Sequence, residues 1–198
     1  LTLRVGDNTL TATGALGKPP RMPGTDFTIR GEGPDISSLA LIFGLDMPSD
    51  PFEFEGKLLR VENGLQIEAI EARAGRSIVD ARGFIGDPPG YDGTDLQVTV
   101  HGPDLSRYNS LFGIDLPAEP FELAGRRGTD GKSMSHNDGR AAVGESTASV
   151  EGRIRLEEHH TETDLLLVIE GTNLSRFASH AGIKGFPARP FRATGKVD

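Results

Sequence analysis

The chain contains no cysteine, so neither a disulfide nor a thiolate metal site is open to it. That fits any compartment, since an oxidising one permits disulfides without requiring them. Basic charge is also short: 21 Lys and Arg against 29 Asp and Glu leave a formal net charge of −8. A phosphate-binding surface needs the opposite sign, so nucleic acid is not expected as a partner. No apolar run approaches the roughly 20 residues that cross a bilayer, and no signal-peptide pattern is present. For a piece of a longer protein, that says nothing of the parent. Apolar side chains make up only 36%, though the 26 glycines bring the total near the usual globular range. A length of 198 residues suffices for a substantial core, in one or two ordinary domains.

What the sequence does have is a repeat. "GPDISSLALIFGLDMPSDPFEFEG" begins at Gly33, and "GPDLSRYNSLFGIDLPAEPFELAG" begins 69 residues later at Gly102. Another 69 residues lead to Gly171 and "GTNLSRFASHAGIKGFPARPFRATG". The same shift carries Gly6 to Gly75 and Gly144, and Gly14 to Gly83 and Gly152. Pro51 maps to Pro120 and, after one inserted residue, to Pro190. Almost three copies are therefore present: residues 1–56, 57–125 and 126–198. Leu1 aligns with Ile70, so the chain starts inside a unit and both ends are expected to be cuts in a longer array.

Within a unit the periodicity is that of strands. "DLQVTVHG" puts Leu96, Val98 and Val100 on one face, and Gln97 and Thr99 on the other. Its equivalents are Phe27 and Ile29, then Leu165, Leu167 and Ile169. A second strand alternates through Leu10, Ala12, Gly14 and Leu16, then Val79, Ala81, Gly83 and Ile85, then Ala148, Val150, Gly152 and Ile154. A third enters behind a proline with Phe52, Phe121 or Phe191 leading. Asn63-Gly64 between two apolar runs signals a hairpin. The expected count is four strands per unit.

One short helix is expected between strands. Asp35, Asp104 and Asn173 occupy N-cap positions, where a side-chain oxygen accepts a free amide of the first turn. The aspartates are read as caps rather than catalytic acids. Leu105, Tyr108 and Phe112 follow on one helical face, as do Ile36, Leu39 and Phe43, then Leu174, Phe177 and Ala181. Gly44, Gly113 and Gly182 end each helix. A helix of about nine residues is only ~14 Å long. Four strands span ~19 Å, with strands ~25 Å long, so one helix cannot cover them. The apolar face must curl onto itself as in a barrel or sandwich, or be covered by something else. A ligand with long apolar tails is one such cover.

The phrase "GPDLSRYNSLFGIDLPAEPFELAGRR", preceded by "GRSIVDARGFIG" and a short alternating strand, resembles the repeat of the AsmA-like proteins. These are relatives of TamB in the envelope of Gram-negative bacteria. The resemblance covers the whole chain. It implies a mainly β fold: an elongated, curved antiparallel sheet around an open apolar groove, with one short helix per 69-residue repeat. It also implies a periplasmic location, a parent anchored in the inner membrane, and phospholipid as cargo carried between the inner and outer membranes. No anchor lies within this sequence. The groove-facing alternation would comprise Leu10, Ala12, Leu16, Phe27, Ile29, Phe52 and Phe54 in the first unit. In the second it would comprise Leu65, Ile67, Val79, Ala81, Ile85, Leu96, Val98, Val100, Phe121 and Leu123. The third would add Val150, Ile154, Leu165, Leu167, Ile169 and Phe191.

One segment departs from the pattern. "RRGTDGKSMSHNDGRAAVG" replaces "KLLRVENGLQIEAIEARAG", with Met134 at the place of Leu65, His136 at Ile67 and Gly139 at Ile70. The apolar alternation is lost, so a distorted hairpin or flexible loop is expected, and a breach in the groove wall with it. No stretch reads as an active site. "EEHHTETD" gathers Glu157, Glu158, His159, His160 and Asp164, but it lacks an HxxxH helix and matches turns in the other copies. "DPPGYDGTD" lacks the ligand order of a calcium loop, and "SMSHNDG" lacks the rigid scaffold a triad needs. "GEGPD" has no basic residue to hold phosphate. No enzyme, cofactor or metal is expected. Three roles remain: a lipid-conducting segment continued by further repeats at both ends, a scaffold whose sheet edges pair with strands of a client outer-membrane protein, or a spacer.

Overall fold

A computed structural model describes residues 1–41, 44–129, 134–156, 161–180 and 182–197. Among them twelve strands form one antiparallel sheet in which every strand lies beside its sequence neighbours. The strands are β1 Thr2–Val5, β2 Asn8–Ala15, β3 Asp26–Gly33, β4 Phe52–Val61, β5 Gly64–Ala74 and β6 Ser77–Gly86. They continue with β7 Asp95–Gly102, β8 Phe121–Thr129, β9 Met134–Val143, β10 Ser146–Leu156, β11 Thr161–Gly171 and β12 Phe191–Val197. β1 pairs with β2 and β12 with β11, so the sheet is open. It does not close into the barrel or stack into the sandwich that the sequence left possible. The repeat boundaries after Gly56 and Gly125 fall inside β4 and β8.

The segments between β3 and β4, β7 and β8, and β11 and β12 carry the helices. These are α1 (Ser37–Ala40), a 3₁₀ turn (Leu105–Tyr108) running into α2 (Asn109–Phe112), and α3 (Leu174–His180). Asp104 caps as expected, its Oδ1 accepting Ser106 N–H, and Asn173 Oδ1 accepts Arg176 N–H, each at 3.0 Å. Asp35 Oδ1 accepts Ser37 N–H at 3.0 Å from one residue ahead of the N-cap, which is Ile36. Gly44, Gly113 and Gly182 follow with φ of 72°, 67° and 74°, the left-handed turn that ends a helix. The helices are shorter than nine residues, and the second corrects the expected face. In a 3₁₀ turn residues i and i+3 eclipse, so Leu111 follows Leu105 and Tyr108 onto the sheet. Phe112 is left 53% exposed. Phe43 and Ala181 lie outside the described residues.

The chain buries little. Leu39, Ala40, Phe52, Leu105, Tyr108, Phe121 and Ala178 are buried, as is Ile67, and no large described side chain is completely enclosed. Tyr108 meets Phe121 edge to face at 5.8 Å, and Phe177 meets Phe191 at 4.9 Å. Each phenylalanine lies opposite a strand glycine: Phe121 faces Gly102 and Phe191 faces Gly171. A Cβ on either glycine would meet the ring at 2.8 or 2.6 Å, so the glycine makes room for it. The accessible surface is 12760 Å² for 21.1 kDa. A compact globule of that mass exposes about 9,000 Å², so the excess is about 3,700 Å². One layer of sheet with short helices at one end leaves that surface open.

Two details depart from the local sequence reading. The β4–β5 hairpin turns on Glu62 and Asn63, with Gly64 already paired to Val61. Gly64 is needed because the Phe84 ring lies 2.3 Å from where its Cβ would be. The second departure is β9, a regular ten-residue strand from Met134 where a distorted or flexible stretch was expected; residues 130–133, which precede it in the same segment, lie outside the described residues. Backbone pairing to β8 and β10 on both sides sustains its first half, where the apolar alternation is lost, before Ala141 and Val143. β5 carries a bulge at Glu68 and Ala69, so Ile67 and Ile70, three residues apart, fall in neighbouring rows of the same apolar face. β9 has no such register shift, so positions 135, 137 and 139 fall in the rows, not Met134 and His136.

Candidate functional site

The ladder places the expected residues on one face of the sheet. One row crosses all the strands through cross-strand pairs: Leu3, Leu10, Gly31, Phe54, Ala72, Val79, Val100, Leu123, Ala141, Ala148, Ile169 and Ala193. The next runs Ala12, Ile29, Gly56, Ile70, Ala81, Val98, Gly125, Gly139, Val150, Leu167 and Gly195. Neither row contains a polar side chain. At about 4.8 Å per strand the first is about 53 Å long.

On the helix side of these rows lie Phe52, Phe121 and Phe191. On the other side lie Phe27, Leu58, Ile67, Gly83, Leu96, Arg127, Asn137, Gly152, Leu165 and Val197. The apolar character breaks there at Arg127 and Asn137, between β8 and β9. Leu65 pairs with Ile85 farther out, and Ile154 pairs with Thr163. Leu16 is the exception: it lies beyond the end of β2 and is 67% exposed.

Sequence periodicity missed Ile70, because the bulge breaks the period of two just before it. Leu3, Leu58, Val143 and Val197 obey that period and were legible from it. Apart from the buried Phe52, Phe121 and Ile67 and the exposed Leu16, the expected residues are half-buried, contacting neighbours along the sheet and, at Val100, Leu123 and Ile169, bordered by the helical segments. A cavity of 210 Å³ opens on this face between the second and third helical segments, lined by Leu116, Val143, Ala148, Ile169 and Phe177. Two hollows of 560 and 610 Å³ lie instead against the opposite face, among residues such as Thr11, Arg30 and Glu55, or Arg140, Ser149 and Glu170.

That opposite face is polar. Ion pairs join neighbouring strands: Arg30 to Glu55 at 3.0 Å, Lys57 to Glu68 at 2.7 Å, and Arg126 to Asp95 and Arg192 to Glu170 at 2.6 and 2.7 Å. Exposed pairs of this kind stabilise little, but they keep the face wetted and set register. At the rim the Arg60 guanidinium grips both oxygens of Asp87, with Nη2 2.8 Å from Oδ2. Hydrogen bonds from Arg60 to Asp87, from Arg126 to Asp95 and from Ser37 to Asp35 hold these carboxyls below the usual 3.8. Their contribution is thus complete above pH 3.8 and is lost as pH falls through the lower folded values. The urea midpoint should fall modestly below about pH 4, and Asp87→Asn should flatten that slope. Identical slopes for the two proteins would exclude the pair as its source.

Glu157, Glu158, His159 and His160 lie outside the described residues. Among the described residues no group of three or more His, Cys, Asp or Glu could hold a metal. No helix there is long and apolar enough to cross a membrane. Comparison with protein-family models, with curated proteins and with solved structures found no match to this chain.

Proposed function

We propose that this chain is a stretch of a periplasmic bridge whose apolar face carries phospholipid between the inner and outer membranes, in support of outer-membrane biogenesis. The observation that carries the reading is the pair of rows without polar side chains, which among the described residues only the helical segments border, at Val100, Leu123, Ala148 and Ile169. Acyl tails supply the layer that the sheet lacks, and each CH₂ laid there is worth about 0.8 kcal/mol. Headgroups stay at the wet rims, where Arg60 and Asp87 lie.

Transport in this reading needs no catalytic group. Each unit offers tails a similar apolar surface, so a tail shifts to the next without leaving a deep well. Further repeats extend the face at both ends, and the anchor that the AsmA resemblance implies ties the parent to the inner membrane. Arg127 and Asn137 narrow the apolar path between β8 and β9.

Native mass spectrometry of the chain purified gently from bacterial membranes, with lipid extraction, tests this. Wild type should carry phospholipid, and Val98→Asp with Leu123→Asp should lose it while circular dichroism shows the same sheet content. A lipid-free, monodisperse wild type, or lipid retained by the variant, would sink the reading. A second reading rests on the open edges at β1 and β12: strands of a client outer-membrane protein pair there. Edge pairing uses backbone groups, so Val98→Asp would spare it.

A further inference from the structure

Successive units meet through the same contacts twice. Nη2 of Arg107, in the second helical segment, lies 2.9 and 2.8 Å from the two carboxylate oxygens of Asp50 at the end of the first. Arg176, 69 residues after Arg107, lies 2.6 Å from Glu119, 69 after Asp50. The acids are largely buried, with side chains 13% and 11% exposed. Each lies against the tight-turn glycine of the following unit, Gly75 or Gly144. Those glycines donate their N–H to the carbonyls of Pro51 and Pro120 at 2.8 and 2.9 Å. Carboxylate, proline carbonyl and incoming arginine together form the joint.

At the β12 edge the same place has the opposite charge. The carbonyl of Arg189 accepts the Leu174 amide at 2.9 Å, as Asp50 accepts Ile36 at 2.9 Å and Glu119 accepts Leu105 at 3.0 Å. Arg189 precedes Pro190 as the acids precede Pro51 and Pro120. It is exposed, with no ion-pair partner among the described residues. A copy of this chain does not complement it. Position 38, 69 before Arg107, is a serine whose Oγ accepts from Asn8 at 2.8 Å and donates to the Asp35 carbonyl at 3.1 Å. A copy's Arg4, in the place of the Arg73 that pairs with Glu53, would face Arg192.

We propose that the β12 edge binds a further unit of the same build whose helical segment carries a carboxylate where Arg107 and Arg176 stand, and that it rejects copies of this chain. The joint continues two joints already formed within the sheet, with the charges exchanged. Like charges at the edge keep identical chains from adding strand to strand, while a carboxylate-bearing unit closes the contact.

Sedimentation velocity on the full chain tests this by supplying the carboxylate at position 38. In an Arg4→Glu background, Ser38→Glu should assemble head to tail at about tenfold lower concentration than Ser38→Arg. Adding Arg189→Glu to the Ser38→Arg chain should restore assembly, and wild type should stay monomeric. Circular dichroism on each variant checks that the sheet is intact. Equal association of the Ser38→Glu and Ser38→Arg chains, or wild type assembling as readily as the former, would overturn the proposal.

Discussion

Gly83→Ala should cost the sheet about 3 kcal/mol or more, while Gly125→Ala should change stability by less than about 0.5 kcal/mol. Both glycines point to the apolar face in central strands, so composition does not distinguish them. Gly83 has a φ of +138°, and an added Cβ would sit 2.0 Å from the Asp95 carbonyl oxygen and 3.0 Å from Leu96 Cα. Relief would require β7 to move, against pairing to both β6 and β8. Gly14 and Gly152 repeat the arrangement, with φ of +154° and +150° against the carbonyls of Asp26 and Asp164. At Gly125 the nearest atom to an added Cβ is 3.7 Å away, ordinary contact. Urea unfolding followed by circular dichroism should show a large midpoint shift for the first variant only. Equal midpoints would mean that the backbones of β6 and β7 are not in close approach.

Tyr108→Ala should cost about 3 kcal/mol, and Phe112→Ala less than about 0.5 kcal/mol. Tyr108 is 8% exposed and packs with Leu105 and Phe121 in a cluster that Val100, Leu111 and Leu123 border. Removing its ring takes the edge-to-face partner from Phe121 and opens a cavity beneath the helix. Phe112 lies one position past the 3₁₀ phase and is 53% exposed. A face drawn at α-helical spacing predicts comparable losses at the two positions, so the contrast tests the helix type directly. Comparable unfolding midpoints for the two variants would return Phe112 to the buried face.

Much of this architecture was written in short-range pattern. The alternation in "DLQVTVHG" fixed which residues of β7 share a face, because side chains in a strand alternate whatever lies beside it. Asp35, Asp104 and Asn173 could be read as caps because capping is satisfied within two or three residues. Where the reading missed, the deciding contact was remote. The bulge at Glu68 depends on β4 and β6 on either side. Regular β9 depends on two neighbours holding a stretch whose own side chains give no strand signal. Phe112 was misplaced because the first turn of its helix tightened.

Local pattern also specified the polar and apolar sides and many of the places where the chain turns, since each is settled by neighbours along the chain. It left open whether the apolar side would be filled from within. A barrel, a sandwich and an open sheet share the same alternation, and they differ only in whether β1 meets β12 or a second layer forms. That choice rests on contacts between residues far apart in sequence. In this protein those contacts do not form. Among the described residues the outer strands remain apart, the helices border the Phe52, Phe121 and Phe191 end and the adjoining Val100, Leu123 and Ile169, and the rest of rows about 53 Å long lies without a second layer. The pairing of Arg107 with Asp50 and of Arg176 with Glu119 belongs to the same class: four charges unremarkable in sequence become a joint only when the sheet brings successive units side by side.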